Sequence, residues 1–241
     1  MRLYYQEDKN IRLFHGDNKD LLPKVKDKSI RLLFADPPYG ILLNYDSPFT
    51  DTFEYYEEMT DRLLTDGLRI SKTMVVTPGG YTNVEYWKDQ CKKRGIEWFR
   101  FCWYKGAMPH RSKVGFAHWE EILIFGDMYA GIPDFIYANP ESEKEGHPCP
   151  KPEKLLSFFI EAYTEEHDMV LDPFAGGGTT LVVAKIMNRK AIGIELSETY
   201  AEICAKRLVN TMQFGKPQLE YKQEELFGGA DEENGSKSAM G

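Results

Sequence analysis

Cysteine is scarce in this 241-residue chain, and the four present form no pattern. Cys91, Cys102, Cys149 and Cys204 stand far apart with no CxxC spacing, so neither a metal site nor a disulfide framework is expected. No apolar run approaches the roughly 18 residues of a membrane span, and the opening MRLYYQEDKN lacks the basic-then-apolar order of a signal peptide. A soluble, cytoplasmic protein with no membrane partner is the expectation. Positive charge is in deficit too: 30 Lys and Arg face 38 Asp and Glu, a net charge of −8, which argues against a simple nucleic-acid coat. There is no repeat at a solenoid period. What remains is a chain long enough for one large α/β domain with a real core. Its hydrophobic content of 42% excludes disorder over most of its length.

Apolar, β-branched runs alternate with helical patterns. Strands are expected over 11–17, 29–35, 73–78, 97–106, 120–126, 169–174 and 190–196, the runs at 97–106 and 120–126 pairing through the loop between them. Helices are expected over 52–64, where Phe53, Tyr56, Met59 and Leu63 share a face, and over 82–94, 154–163, 180–188 and 198–212. Alternation of this kind predicts a doubly wound, mostly parallel sheet with helices on both faces. Residues 127–150 have no strong period and contain four prolines, and read as a loop-rich insertion. Residues 1–226 are expected to form a single domain, and the polar, acidic stretch 227–241 a disordered tail.

Two turns carry the chemistry. In LDPFAGGGTTLVVA, Gly176, Gly177 and Gly178 lie between a strand and a helix, letting the backbone approach a ligand beside free helix N–H groups. The next strand ends in Glu195, an acid placed to accept both hydroxyls of a ribose. The run is neither GxGxxG nor followed by a phosphate-gripping lysine. The ligand is therefore expected to be an adenosine without phosphates. The second turn, Asp36-Pro37-Pro38-Tyr39-Gly40, follows the buried run LLFA. Its prolines stiffen the backbone and remove two donors, leaving the Asp36 carboxylate and the Pro37 carbonyl as acceptors beside the Tyr39 ring. Two acceptors and an aromatic plane suit a planar base with an exocyclic amino group. Taken singly, each turn also reads as ordinary strand-end structure.

LLFADPPYG together with VLDPFAGGGTT resembles the S-adenosylmethionine-dependent amino methyltransferases of DNA, which modify adenine N6 or cytosine N4. The order, DPPY before the glycine run, resembles their circularly permuted beta class. HGD (His15–Asp17), HPCPKP (His147–Pro152) and GIELSETYAEICAKRL (Gly193–Leu208) add weaker matches. The resemblance implies a class I, Rossmann-like, seven-stranded sheet with one antiparallel strand near its edge. It implies S-adenosyl-L-methionine as cofactor, with Asp36, Asp172, Phe174, Ala175, Gly176 and Gly178 lining it and Thr179 and Thr180 near its methionine carboxylate. Glu195 would hold the ribose, Asp17 would lie by the adenine, and Lys151 and Pro152 would border the methionine end. Asp36, Pro37 and Tyr39 would hold the target base. Aspartate in the first motif position leans toward adenine within that family. A cytosine-N4 enzyme, a non-catalytic partner subunit and an enzyme acting on RNA or protein glutamine are the alternatives.

The implied partner is double-stranded DNA, with a homodimer possible and no metal. Residues 85–115 hold eight basic against three acidic side chains, a basic stretch suited to phosphate contact. Within the short candidate recognition loops, 104–118 and 127–146, His110, Arg111 and Lys113 are the expected DNA contacts.

Overall fold

The computed structural model describes residues 1–42, 51–106, 110–112, 115–127, 131–140 and 151–211. Eleven strands and six helices follow one another there. They are β1 (Arg2–Glu7), β2 (Ile11–His15), β3 (Ile30–Ala35), α1 (Phe53–Arg62), α2 (Leu68–Ile70), β4 (Ser71–Val76) and α3 (Tyr81–Arg94), then β5 (Phe99–Tyr104), β6 (His110–Ser112), β7 (Gly115–Ala117), β8 (Trp119–Gly126) and β9 (Phe135–Tyr137), and finally α4 (Glu153–Tyr163), β10 (Met169–Asp172), α5 (Thr179–Ile186), β11 (Lys190–Glu195) and α6 (Glu198–Asn210).

Nine strands form one sheet in the order β1-β2-β11-β10-β3-β4-β8-β5-β9. The five from β2 to β4 are mutually parallel, β8 is antiparallel to both its neighbours, and β1 is antiparallel to β2. The seven strands expected, with an antiparallel strand near one edge, are the centre of this sheet. The difference lies at the edges. β1 has exposed positions along its length and no apolar run to announce it, and β9 is three residues inside the stretch read as loop. Both are strands because a neighbouring edge offers unpaired backbone groups, not because their sequences insist on it. The recognition stretch 104–118 likewise contains the separate hairpin β6–β7, and the expected pairing of the runs at 97–106 and 120–126 is the β5–β8 ladder.

The central strands read as unbroken apolar runs because both their faces are covered. In β3, Leu32 and Phe34 join a core with α4, α5 and α6, while Leu33 and Ala35 join a second core with α1, α2 and α3. In α1, Thr52 caps the N-terminus by accepting from the Tyr55 N–H, and Tyr56, Met59 and Leu63 bury the expected stripe except at its first member, Phe53, which is exposed in the first turn. The helix does not stop near 64: a π-turn over Leu63–Gly67 carries it into α2.

This layering places the two informative turns side by side. β10 and β3 are neighbours, yet the chain leaves β10 toward α5 on one face and leaves β3 toward α1 on the other. A crevice opens at the carboxyl ends of strands where connections diverge like this.

Candidate active site

The glycine turn is held mainly by backbone donors. Asp172, at the end of β10, accepts from the Phe174 N–H at 2.9 Å and from the Thr180 hydroxyl at 2.5 Å. It thereby ties both ends of the turn together. Burial pushes its carboxyl up to about 7, against the pull of those two donors. Glu195, at the end of β11, accepts from the Gly176 N–H and the Ser197 N–H, each at 2.7 Å. Burial raises its carboxyl as well, and the backbone donors oppose the shift. A carboxylate offers about four lone-pair positions, so Glu195 keeps acceptor capacity on the side that lines the pocket.

The three glycines do different things. Gly176 and Gly177 line the pocket. Gly178 does not; it caps α5 at φ +83°, and a Cβ there would lie 2.3 Å from the Cys204 sulfur of α6. Its missing side chain is what allows this close helix packing. Pro152 also stands off the pocket, as the residue preceding the first turn of α4.

The Asp-Pro-Pro-Tyr turn is held by side chains. Asp36 Oδ1 accepts from the Tyr39 hydroxyl at 2.9 Å and the Thr77 hydroxyl at 2.5 Å. Its Oδ2 receives the Lys151 ammonium at 2.5 Å, and the same ammonium donates to the Tyr39 hydroxyl at 3.0 Å. The Tyr39 ring lies against Gly79, where a Cβ would come within 2.7 Å of it. Asp51 anchors the turn's far end by accepting from the Gly40 and Ile41 N–H groups.

Both turns open into one pocket. Of the residues expected to bind cofactor or base, Asp17, Asp36, Pro37, Tyr39, Lys151, Asp172, Phe174, Ala175, Gly176, Thr179, Thr180 and Glu195 all line it. Lys151 sits on Asp36, which the sequence left as an open acceptor. Asn18, Tyr55 and Tyr200 line the pocket without having been expected there. Asn18 ties the end of β10 to the end of α1, donating to the Pro173 carbonyl at 3.1 Å and accepting from Arg62 at 2.5 Å. Tyr55 gave one signal, as an aromatic beside the buried stripe of α1 rather than on it. Asn18 gave none.

Four of the eight cations in the expected basic stretch are engaged by acids. Lys88 bridges Glu85 and Glu121, Lys92 pairs with Asp89, and Arg94 pairs with Asp61. Lys105 is buried, paired with Glu120 and lying over the Trp103 ring. His110 and Arg111 fall on β6, whose backbone alone is described, and Lys113 and the tail 227–241 lie outside the described residues.

Comparison with known proteins bears directly on this pocket. The type II methyltransferase M2.LlaDCHI of Lactococcus lactis subsp. cremoris is 30% identical over 253 residues, covering 88% of this chain and 94% of that protein. The chain belongs to the DNA methylase family. The family model of that description matches residues 120–206 of this methylase, from β8 to α6. The DNA adenine methyltransferase YhdJ of Escherichia coli K12 is 28% identical over 240 residues, covering 81% of the methylase and 82% of the relative. The fold is that of the solved PvuII DNA methyltransferase, described as cytosine-N4-specific, with a TM-score of 0.70 at 20% identity over 86% of this chain and 88% of that one.

Proposed function

We propose that this methylase transfers a methyl group from S-adenosyl-L-methionine to the N6 amino group of adenine in double-stranded DNA. The observation that carries the reading is the meeting of two half-sites in one pocket: the Gly176–Glu195 half on β10 and β11, and the Asp36–Tyr39 half on β3. The first half fits the cofactor. Glu195 has acceptor positions for ribose hydroxyls, Gly176 and Gly177 leave room for close approach, and the turn carries no lysine for phosphate. The bound cofactor supplies a methyl group already activated on a sulfonium.

The protein's part is then chiefly placement. An exocyclic amine conjugated with its ring is a weak nucleophile. Hydrogen bonds from its two protons to the Asp36 carboxylate and the Pro37 carbonyl draw the nitrogen toward tetrahedral geometry. They also stabilise the positive charge that grows on it. The Tyr39 ring supports the base plane. Adenine must leave the duplex stack first, at a cost of a few kcal/mol that stacking on Tyr39 partly offsets. Cytosine N4 presents the same acceptor requirement, and it is the second reading.

Exposed aromatics support a DNA-facing edge. Tyr104 stands opposite Trp119 on one side and Tyr137 on the other, and these rings are 43%, 54% and 37% exposed. Register across the sheet sets Ala35 level with Arg100, so this row projects about 13 Å past the end of β3, at the pocket's end of the sheet. Tritium transfer from labelled S-adenosylmethionine to duplex DNA, with RNA as the comparison, tests the activity. Methylation-sensitive sequencing of DNA from expressing cells identifies base and site. Label in RNA or protein alone would refute the reading.

A further inference from the structure

The strongest unassigned feature is an imbalance of charge within the pocket. Its described lining includes four carboxylates, Asp17, Asp36, Asp172 and Glu195, and one cation, Lys151. That cation is already committed, with its ammonium 2.5 Å from Asp36 Oδ2 and 3.0 Å from the Tyr39 hydroxyl. The second Asp36 oxygen is also engaged, by Tyr39 and Thr77. Both oxygens of the group meant to receive the base's amino protons are therefore occupied by the protein's own donors.

Lys19 and Arg62 offset Asp17 and burial raises the Asp172 carboxyl, but an amino-acid carboxylate entering this pocket still needs a cation of its own to offset its loss of water. We propose that Lys151 is a shared positioning residue. It holds Asp36 while the cofactor is absent and moves to the cofactor's carboxylate when it binds, freeing Asp36 Oδ2 for the amino group of the base. The inference rests on the reading of the pocket as an S-adenosylmethionine site. Base capture is then coupled to cofactor occupancy, and the coupling is reciprocal: whatever weakens the Asp36–Lys151 pair strengthens binding of the carboxylate. Lys151 comes just before α4 and reaches Asp36 with the end of its side chain, so its ammonium can change partner by side-chain rotation. A cation left on Asp36 would also oppose the positive charge developing on the attacked nitrogen, so its departure aids the reaction as well as the binding.

Two nucleosides separate this from a static salt bridge. S-adenosylhomocysteine carries the amino-acid carboxylate, and 5′-methylthioadenosine lacks it. Both are titrated by calorimetry into the full chain and into Lys151→Met, Asp36→Asn and the double variant, each checked for folding by near-ultraviolet circular dichroism. Lys151→Met should weaken S-adenosylhomocysteine by tenfold or more and leave methylthioadenosine within twofold. Asp36→Asn should tighten S-adenosylhomocysteine at least threefold, again without moving methylthioadenosine, and should do nothing further in the Lys151→Met background. The Asp36→Asn arm can overturn the proposal even if Lys151→Met does not fold. Unchanged S-adenosylhomocysteine affinity in Asp36→Asn overturns the proposal. So does weakened affinity, the result expected if Asp36 grips the ligand's ammonium instead. Equal tightening with and without Lys151 would reduce the effect to general charge and also overturns it. If wild type binds neither nucleoside, the cofactor reading itself fails, and this inference with it.

Discussion

The two halves of the pocket are built from similar parts and held in opposite ways. Around β10 and β11, Asp172 and Glu195 are buried, and backbone N–H groups of Phe174, Gly176 and Ser197 supply most of their bonds. Around β3, Asp36 is held by the ends of three side chains, Tyr39 from its own turn and Thr77 and Lys151 from distant segments. Backbone donors cannot leave without unfolding the turn, whereas a lysine side chain can exchange one partner for another at little cost. By this contrast the proposed cofactor half is preorganised, and the proposed base half rests on contacts that can exchange and is the conditional one.

The sharpest way to break this comparison is to remove one acid from the conditional half. Asp36→Ala is expected to lower methyl transfer by roughly a hundred- to a thousandfold, the scale of losing a key transition-state hydrogen bond, while cofactor binding survives. Single-turnover transfer of labelled methyl groups measures the first and calorimetry the second. Full activity would sink the mechanism.

The preorganised half should fail instead by destabilisation. Gly178→Ala places a Cβ against Cys204 in a left-handed conformation. It is expected to cost about 2–4 kcal/mol from strain and overpacking together, read as a lower midpoint in urea denaturation. Adding Cys204→Ala should restore part of the loss, since the sulfur is the nearest obstacle but the backbone conformation stays unfavourable.

A smaller effect concerns pH. Asp172 in the folded protein releases its proton near pH 7, and in the unfolded chain near pH 4. Between these values the folded state holds a proton that the unfolded state has lost, so stability falls as pH rises through that window, by at most about 1.4 kcal/mol per pH unit for one group. Asp172→Asn should flatten most of this slope in denaturation midpoints measured from pH 4 to 7. Glu195, raised in the same direction, leaves a residual slope of the same sign. An unchanged profile would show that Asp172 is ionised in the fold throughout.

The smallest change expected is Tyr39→Phe. It removes a neutral hydroxyl bonded to Asp36 and Lys151 but keeps the ring against Gly79. The two charged groups it bridges still pair with each other without it, so turnover should drop less than about tenfold. Tyr39→Ala, which loses the plane, should fall much further if stacking is the ring's task.

Much of this was legible in order along the chain. A β-branched run stopped by Asp-Pro-Pro, another stopped by three glycines, and an acid one strand later are local patterns, and the structure has them where they were read. The edge strands β1 and β9 were not legible, because edge pairing depends on a neighbour rather than on apolar periodicity. The charge of the stretch at 85–115 was legible only in part, for a related reason. Composition counts Lys88, Arg94 and Lys105 as free cations, and folding brings Glu121, Asp61 and Glu120 to them.

By itself, then, the sequence determined the succession of strands and helices, the chemistry of the two turns and the order in which they occur. These depend on residues close together in the chain, where dihedral preference and hydrophobic period act directly. The tertiary structure alone decided that β3 lies beside β10, that Asn18 reaches Pro173, that Gly178 is spent on Cys204, and that Lys151 rests on Asp36 across 115 positions of sequence. Sheet order sets those meetings, and with them which acceptors of the pocket are open and which are held.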